Sequence, residues 1–193
     1  MINQIVNADC LQVMQDIPDK SVDLVLTDPP YPDYHVDKYK YHDGILEIFN
    51  KFQCKQIIFW SAKAKFPLSY TAIHIWDKKC GVGSMYERIF ERFGCKNYRV
   101  YNHYLINSTV AANYTNEVFY GHPSQKPIKL LCQILEHCSK EGDLVLDPFA
   151  GVSSTAIACK RMDRRFIMIE QDADYCEIGR KRLKAEKSMF DKI

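Results

Sequence analysis

The sequence predicts an α/β fold built on a parallel sheet. From about Glu141 to the last helix the chain reads strand, helix, strand, helix, an order that requires right-handed crossovers between parallel strands. Val22 to Thr27, Gln56 to Trp60 and Leu144 to Leu146 are short, largely apolar runs without polar alternation, the pattern of strands buried on both faces. The first and last of these stop at the same dipeptide, Asp28-Pro29 and Asp147-Pro148. Proline lacks a donor and fixes its own φ, so neither ladder can continue. Each Asp-Pro therefore sits at the carboxyl end of a strand, where open α/β sheets bind ligands. At 193 residues a single domain, 1–193, is expected.

Taken in order, Ile2 to Ala8 is a short mixed stretch ending at Asp9, and Leu11, Val13, Met14 and Ile17 predict a short helix closed by Pro18. Val22 to Thr27 is the central strand. Pro32 to His42 is polar, Tyr-rich and aperiodic, a loop beside the proposed site. Its Tyr34, His35, Lys38, Tyr39 and Lys40 interleave aromatics with charge, which suits bases and phosphates; a surface loop with chance tyrosines is the plainer reading. Ile45 to Phe52 has helical spacing, and Thr71 to Trp76 reads as a strand. The following turn, Lys78 to Gly83, is not a three-glycine fingerprint and reads as a loop whose Lys78 and Lys79 reach a nucleic-acid backbone. Met85 to Phe93 fits no pattern cleanly, Tyr98 to Ile106 alternates partly like a strand, and Asn107 to Asn116 reads as loop. Pro127 suits the first turn of a helix whose stripe is Ile128, Leu130, Leu131, Ile134 and Leu135. Leu144 to Leu146, a helix from Ser153 to Arg161, a strand over Phe166–Ile169 and a helix over Asp172–Lys187 complete the chain.

Composition narrows the classes little. The chain is 47% hydrophobic and 26% charged with a net charge of +2, ordinary for a globular protein and too mild to demand nucleic acid. Eight cysteines are scattered without a C-x-x-C pair, which implies no metal site and fits a reduced, cytoplasmic compartment. No membrane-length apolar run or signal peptide is present, so no membrane partner is expected.

Two stretches carry chemistry. At Asp28-Pro29-Pro30-Tyr31 a carboxylate, a prolyl carbonyl, a stiff turn and a flat ring meet. Together they suit a planar group bearing an NH2, with one N–H to Asp28, one to the Pro29 carbonyl, and the ring on Tyr31. Asp147-Pro148-Phe149-Ala150-Gly151 leads into Ser153 and Thr155 at a helix start, with Gly151 allowing close backbone approach and free N–H groups facing an anion. Glu170 ends the next strand, 19 positions after Gly151, where an acid takes ribose hydroxyls in dinucleotide folds. A nucleoside with a carboxylate, such as S-adenosylmethionine, fits this turn better than a pyrophosphate. An ordinary βαβ turn is the plain alternative.

These residues resemble the amino-methyltransferases of DNA in their circularly permuted β class. Asp28-Pro29-Pro30-Tyr31 looks like the catalytic motif, and Asp147 to Gly151 with Ser153 and Thr155 looks like the cofactor motif. His122-Pro123-Ser124-Gln125-Lys126-Pro127 is similar to the segment preceding the latter. Asn7-Ala8-Asp9-Cys10 resembles the motif whose acid meets the cofactor's adenine, with Ala8 where Gly is usual. Trp76-Asp77-Lys78 and the stretch through Glu87 also look like family sequence. The resemblance implies a Rossmann-like fold with a mostly parallel seven-stranded sheet, one antiparallel strand and helices on both faces. It implies S-adenosylmethionine held by Asp9, Cys10, Lys126, Asp147 to Gly151, Ser153, Thr155 and Glu170. It also implies a flipped base in DNA, with Asp at the first catalytic position leaning toward adenine. Only about Lys96 to Tyr120 is left for target recognition, so the site read is very short, specificity is slight, or a second copy or a separate specificity subunit helps. Cytosine in DNA, adenine in RNA and a catalytically silent nucleic-acid-binding subunit stay open beside this reading.

Overall fold

The protein is described from a computed structural model at residues 1–33, 44–80, 85–94, 96–106 and 115–186. Eight strands form one sheet among these residues: β1 (Gln4–Asn7), β2 (Leu24–Thr27), β3 (Lys55–Trp60), β4 (Ala72–Asp77), β5 (Tyr86–Arg92), β6 (Val100–Asn102), β7 (Leu144–Asp147) and β8 (Arg165–Glu170). The order across the sheet is β1-β8-β7-β2-β3-β5-β4-β6. Every pairing is parallel except those of β5, which runs against both β3 and β4. The single antiparallel strand agrees with expectation. The eighth strand does not: Tyr98 to Ile106 contributes a short edge strand of three residues.

Alternation along β2 shows why the sheet is buried on both sides. Leu24 and Leu26 enter one apolar cluster and Val25 the other, because successive side chains of a strand point to opposite faces. On the first face the sheet packs on α3 (Ile128–Cys138) and α4 (Ser154–Arg161) through Leu131, Ile134 and Ile157. On the second it packs on α1 (Cys10–Asp16), through Met14, and on the short α2 (Gly44–Glu47) with the 3-10 turn Ile48–Lys51, through Leu46 and Phe49. The last helix, α5 (Ala173–Ala185), starts after Asp172, whose carboxylate accepts from the N–H groups of Asp174 and Tyr175. No helix among the described residues is long and apolar enough to cross a membrane.

The chain leaves β2 for β3 on one side and β7 for β8 on the other, so the topological switch lies between β2 and β7. That places Asp28 and Asp147 side by side at one edge. The segment approaching α3 is fixed there by an unusual cap. Pro127 precedes the helix rather than entering its first turn, and it has no side chain to cap with. The Glu117 carboxylate takes that role, accepting from the N–H groups of Ile128 at 2.9 Å and Lys129 at 3.3 Å. Glu117→Ala should lower the unfolding free energy by about 1 kcal/mol with an unchanged denaturant slope, read by urea titration of the circular dichroism signal.

Candidate active site

A cleft of about 420 Å³, counted with its open mouth, lies at the carboxyl ends of β2 and β7. Its walls include Asp28, Phe59, His122, Lys126, Asp147, Phe149, Ala150, Gly151 and Thr155. The structure thus brings together residues from the two separate Asp-Pro turns and from the 122–127 segment.

Asp147 is buried and serves the protein's own donors. Thr27 Oγ1 donates to it at 2.8 Å, Thr155 Oγ1 at 2.6 Å and the Phe149 N–H at 3.1 Å. Thr27 lies on β2, so this carboxylate ties the two strands at the switch point. Burial pushes the Asp147 carboxyl up to about 6, against the lowering effect of Thr155, Thr27 and Phe149.

Asp28 is arranged differently. Lys126 Nζ pairs with its Oδ2, while Oδ1 is buried with no hydrogen-bond partner among the described residues. Burial raises this carboxyl to about 6, with Lys126 pulling it down and Glu87 pushing it up. Lys126 also lies 3.5 Å from Glu87 Oε2 and sits over the Phe59 ring at 4.9 Å. Burial would raise the Glu87 carboxyl, but the Lys126 and Lys78 ammoniums hold it below the ordinary glutamate value.

Around the cofactor-like turn, Gly151 adopts φ +52°, and a Cβ there would stand 3.0 Å from His122 Nε2. The Gly151 N–H donates to Glu170 Oε2 at 2.7 Å, and the Asp172 N–H donates to Glu170 Oε1 at 2.8 Å. Glu170 therefore stands against the turn with acceptor capacity remaining on both oxygens. Asp9 caps α1 by accepting from the Leu11 N–H at 2.7 Å, and Asn7 pairs with Glu170 in register, so Asp9 and Cys10 stand at the same sheet edge. Neither belongs to the cleft wall, nor does Pro148, which is buried in its turn. Burial, with Asp9 adding to it, raises the Cys10 thiol to about 11, so it is no ready nucleophile.

Several expectations need correction. Ser153 does not face the cleft; it is wholly buried at φ +59°, pressed against Gly179 of α5, where a Cβ would come within 2.4 Å of Ser153 Oγ. Ser154 lines the cleft instead, and Arg182 holds it, donating to Ser154 Oγ and to the Val152 carbonyl. Lys78 is not on an exposed loop: it is 7% exposed, and its Nζ bonds Glu87 Oε1 at 3.2 Å, so it is not available to a phosphate. Lys79 is at the surface but pairs with Asp77 at 3.0 Å. Tyr31 presents no open face: the ring is 7% exposed, lies 5.5 Å from Trp60, and turns its hydroxyl to Glu87 at 3.4 Å. Tyr34, His35, Lys38, Tyr39 and Lys40 lie outside the described residues. Sequence reasoning assigned no role to Thr27, Ser154 and Arg182, and placed Glu87 only within a family-like stretch. No motif signals the first three, because each acts through a partner remote in the chain.

The profile of the DNA methylase family matches residues 45–181, well over half of the chain. The chain belongs to the DNA methylase family. The DNA adenine methyltransferase YhdJ of Escherichia coli (strain K12) is 28% identical over 243 residues, an alignment taking in 93% of this chain and 82% of YhdJ. That alignment is longer than the 193 residues of this chain, so YhdJ carries stretches without counterpart here. Among solved structures, the M1.HpyAVI–SAM complex superposes with a TM-score of 0.67 at 22% identity, covering 93% of this chain and 99% of that one. The cytosine-N4-specific PvuII DNA methyltransferase gives a TM-score of 0.67 at 14% identity, covering 98% and 95%. Both likenesses speak to the α/β methyltransferase fold.

The Asp147 carboxyl has a stability consequence with a definite sign. It is raised from the usual 3.8 to about 6 in the folded chain, so the native state binds its proton more tightly than the unfolded state does. Its contribution is therefore full below pH 3.8 and is lost as pH rises through about 6. Measured by urea midpoints between those limits and neutrality, wild type should lose stability relative to Asp147→Asn as the pH is raised.

Proposed function

We propose that this DNA methylase transfers a methyl group from S-adenosylmethionine to the exocyclic amino group of adenine in DNA. The observation that carries the reading is the buried Asp28 Oδ1, an acceptor at the cleft with no partner among the described residues. An unmet buried acceptor is costly, and a substrate N–H would satisfy it.

The residues present fit the cofactor. The cleft opens at the carboxyl ends of β2 and β7, where α/β sheets take ligands. Gly151 lets the His122 ring close on the turn, where a Cβ would stand 3.0 Å from Nε2, and Glu170 keeps acceptor capacity for ribose hydroxyls. Ser154 and Thr155 begin α4, whose first N–H groups would meet the cofactor's anionic group, and Asp9 and Cys10 stand at the carboxyl end of the neighbouring β1. S-adenosylmethionine supplies a methyl group already activated on a sulfonium.

The protein's work is then to bind and aim. Asp28 and the Pro29 carbonyl accept the two amino hydrogens, which draws the nitrogen lone pair out of conjugation with the ring. Pro30 fixes the turn, and Tyr31 anchors it through Trp60 and Glu87. Positioning and fixed charge carry the rate, and no covalent intermediate is required. The adenine assignment is supported by the name of YhdJ and by Asp at the first catalytic position. The equal fold likeness to a cytosine-N4 enzyme leaves cytosine as the second reading. Only residues 96–120 lie between the two halves, which supports a very short site, slight specificity, or help from a second copy or specificity subunit.

The test is to incubate the protein with S-adenosylmethionine and unmethylated DNA, digest to nucleosides and identify the methylated base by mass spectrometry. N6-methyladenine is expected; N4-methylcytosine would keep the mechanism and overturn the base. Asp28→Ala should cut turnover about 100-fold or more while calorimetry finds cofactor affinity within a few-fold of wild type. Retained turnover in that variant would overturn the mechanism.

A further inference from the structure

Four charged side chains form a buried line through the site: Lys78, Glu87, Lys126 and Asp28. Glu87 projects from β5 and binds Lys78 Nζ through Oε1 at 3.2 Å. Its Oε2 lies 3.5 Å from Lys126 Nζ, which pairs in turn with Asp28 Oδ2. The side chains of Lys78, Glu87 and Lys126 are each under a tenth exposed, and Asp28 is 14% exposed. Tyr31, from the same turn as Asp28, adds its hydroxyl at 3.4 Å from Glu87 Oε1. The turn is therefore tied to Glu87 twice, directly at Tyr31 and through Lys126 at Asp28.

We infer that Glu87 is a positioning residue for Asp28, dividing the Lys126 ammonium between two carboxylates and so deciding how firmly Asp28 is held as an acceptor. An ammonium given wholly to Asp28 would hold its carboxylate strongly but occupy it as a fixed ion pair. Shared with Glu87, it leaves Asp28 ionised near neutrality with one oxygen for substrate. Lys78 keeps Glu87 charged and so keeps the division in place. Among the described residues a further carboxylate, Asp147 at the end of β7, also interacts with Asp28. Its own three donors bind it, but charge repulsion from Asp28 still raises it, and Glu87→Gln, Lys126→Met and Lys78→Met all leave that repulsion in place. For Asp28, burial opposes the charged form, Lys126 and Lys78 favour it, and Glu87 opposes it. Removing Glu87 and removing Lys126 must therefore act on Asp28 in opposite senses.

This inference rests on the reading of Asp28 as the acceptor of the amino hydrogens. The experiment is the pH dependence of kcat/KM for DNA at saturating S-adenosylmethionine, for wild type, Glu87→Gln, Lys126→Met and Asp28→Ala. Wild type should lose activity on the acid side near about pH 6. Glu87→Gln should move that limb to lower pH and Lys126→Met to higher pH. A move of about half a pH unit appears as roughly a threefold change in the fraction of plateau activity retained at a fixed acid pH. A merely structural line of charges would lower the plateau and leave the limb in place. With Asp28→Ala inactive, limbs that stay put or move the same way overturn this inference alone. So does a folded Glu87→Gln that is inactive at every pH. An active Asp28→Ala overturns the underlying reading instead. Should Glu87→Gln not fold, Lys78→Met carries the test: its limb should move to higher pH, and an unmoved limb overturns the inference.

Discussion

The site depends on one buried ammonium. Lys126 is 8% exposed, and a charge taken that far from water must be matched by fixed partners. The matching draws separate elements to one point. The turn after β2 supplies Asp28, β5 supplies Glu87, and β3 and β4 offer the faces of Phe59 and Trp76, 4.9 and 5.7 Å from Nζ. A lysine brought in just before α3 thus organises four strands that are not its neighbours in the chain. Without it, Asp28 and Glu87 would be two carboxylates in the same dry region, and one would have to take up a proton.

What was legible in the sequence follows from how each strand is buried. β2, β3 and β7 are covered on both faces, so apolar runs announced them and the Asp-Pro dipeptides announced two of their ends. β5 was not legible, because Glu87, Glu91 and Arg92 read as surface yet are buried in it. Each has a specific partner: Glu87 has Lys78, Glu91 has His74 at 2.8 Å, and Arg92 has Gln56 at 2.7 Å and Asn50 at 2.7 Å. Charge in a strand marks solvent only when nothing inside answers it. The exchange of Ser153 for Ser154 in the cleft wall has a smaller cause. A left-handed residue before α4 turns the chain by one position, and no composition rule predicts which serine follows it in.

Fold and chemistry separate clearly here. The arrangement of strands is shared with an enzyme named for cytosine N4, while the sequence matches one named for adenine, so the sheet alone does not choose the substrate. What the sheet supplies is the switch point, where strands leaving in opposite directions open a cleft and set two carboxylates at its edge. The two then part in character. Asp147 accepts from Thr27, Thr155 and Phe149 and acts as a joint, whereas Asp28 keeps an oxygen without a partner among the described residues.

That joint also sets a timetable. Thr27 and Asp147 are 120 positions apart, and Asp28 and Lys126 are 98 apart. As the chain leaves the ribosome, β2 can pair with β3 early, but its other edge stays open until β7 has emerged. β1 waits longer still for β8. Contacts this distant close late and slowly, since the loop entropy is lost before they form. The cleft is therefore completed only once β7 has joined β2, and β2 and β3 alone cannot form it.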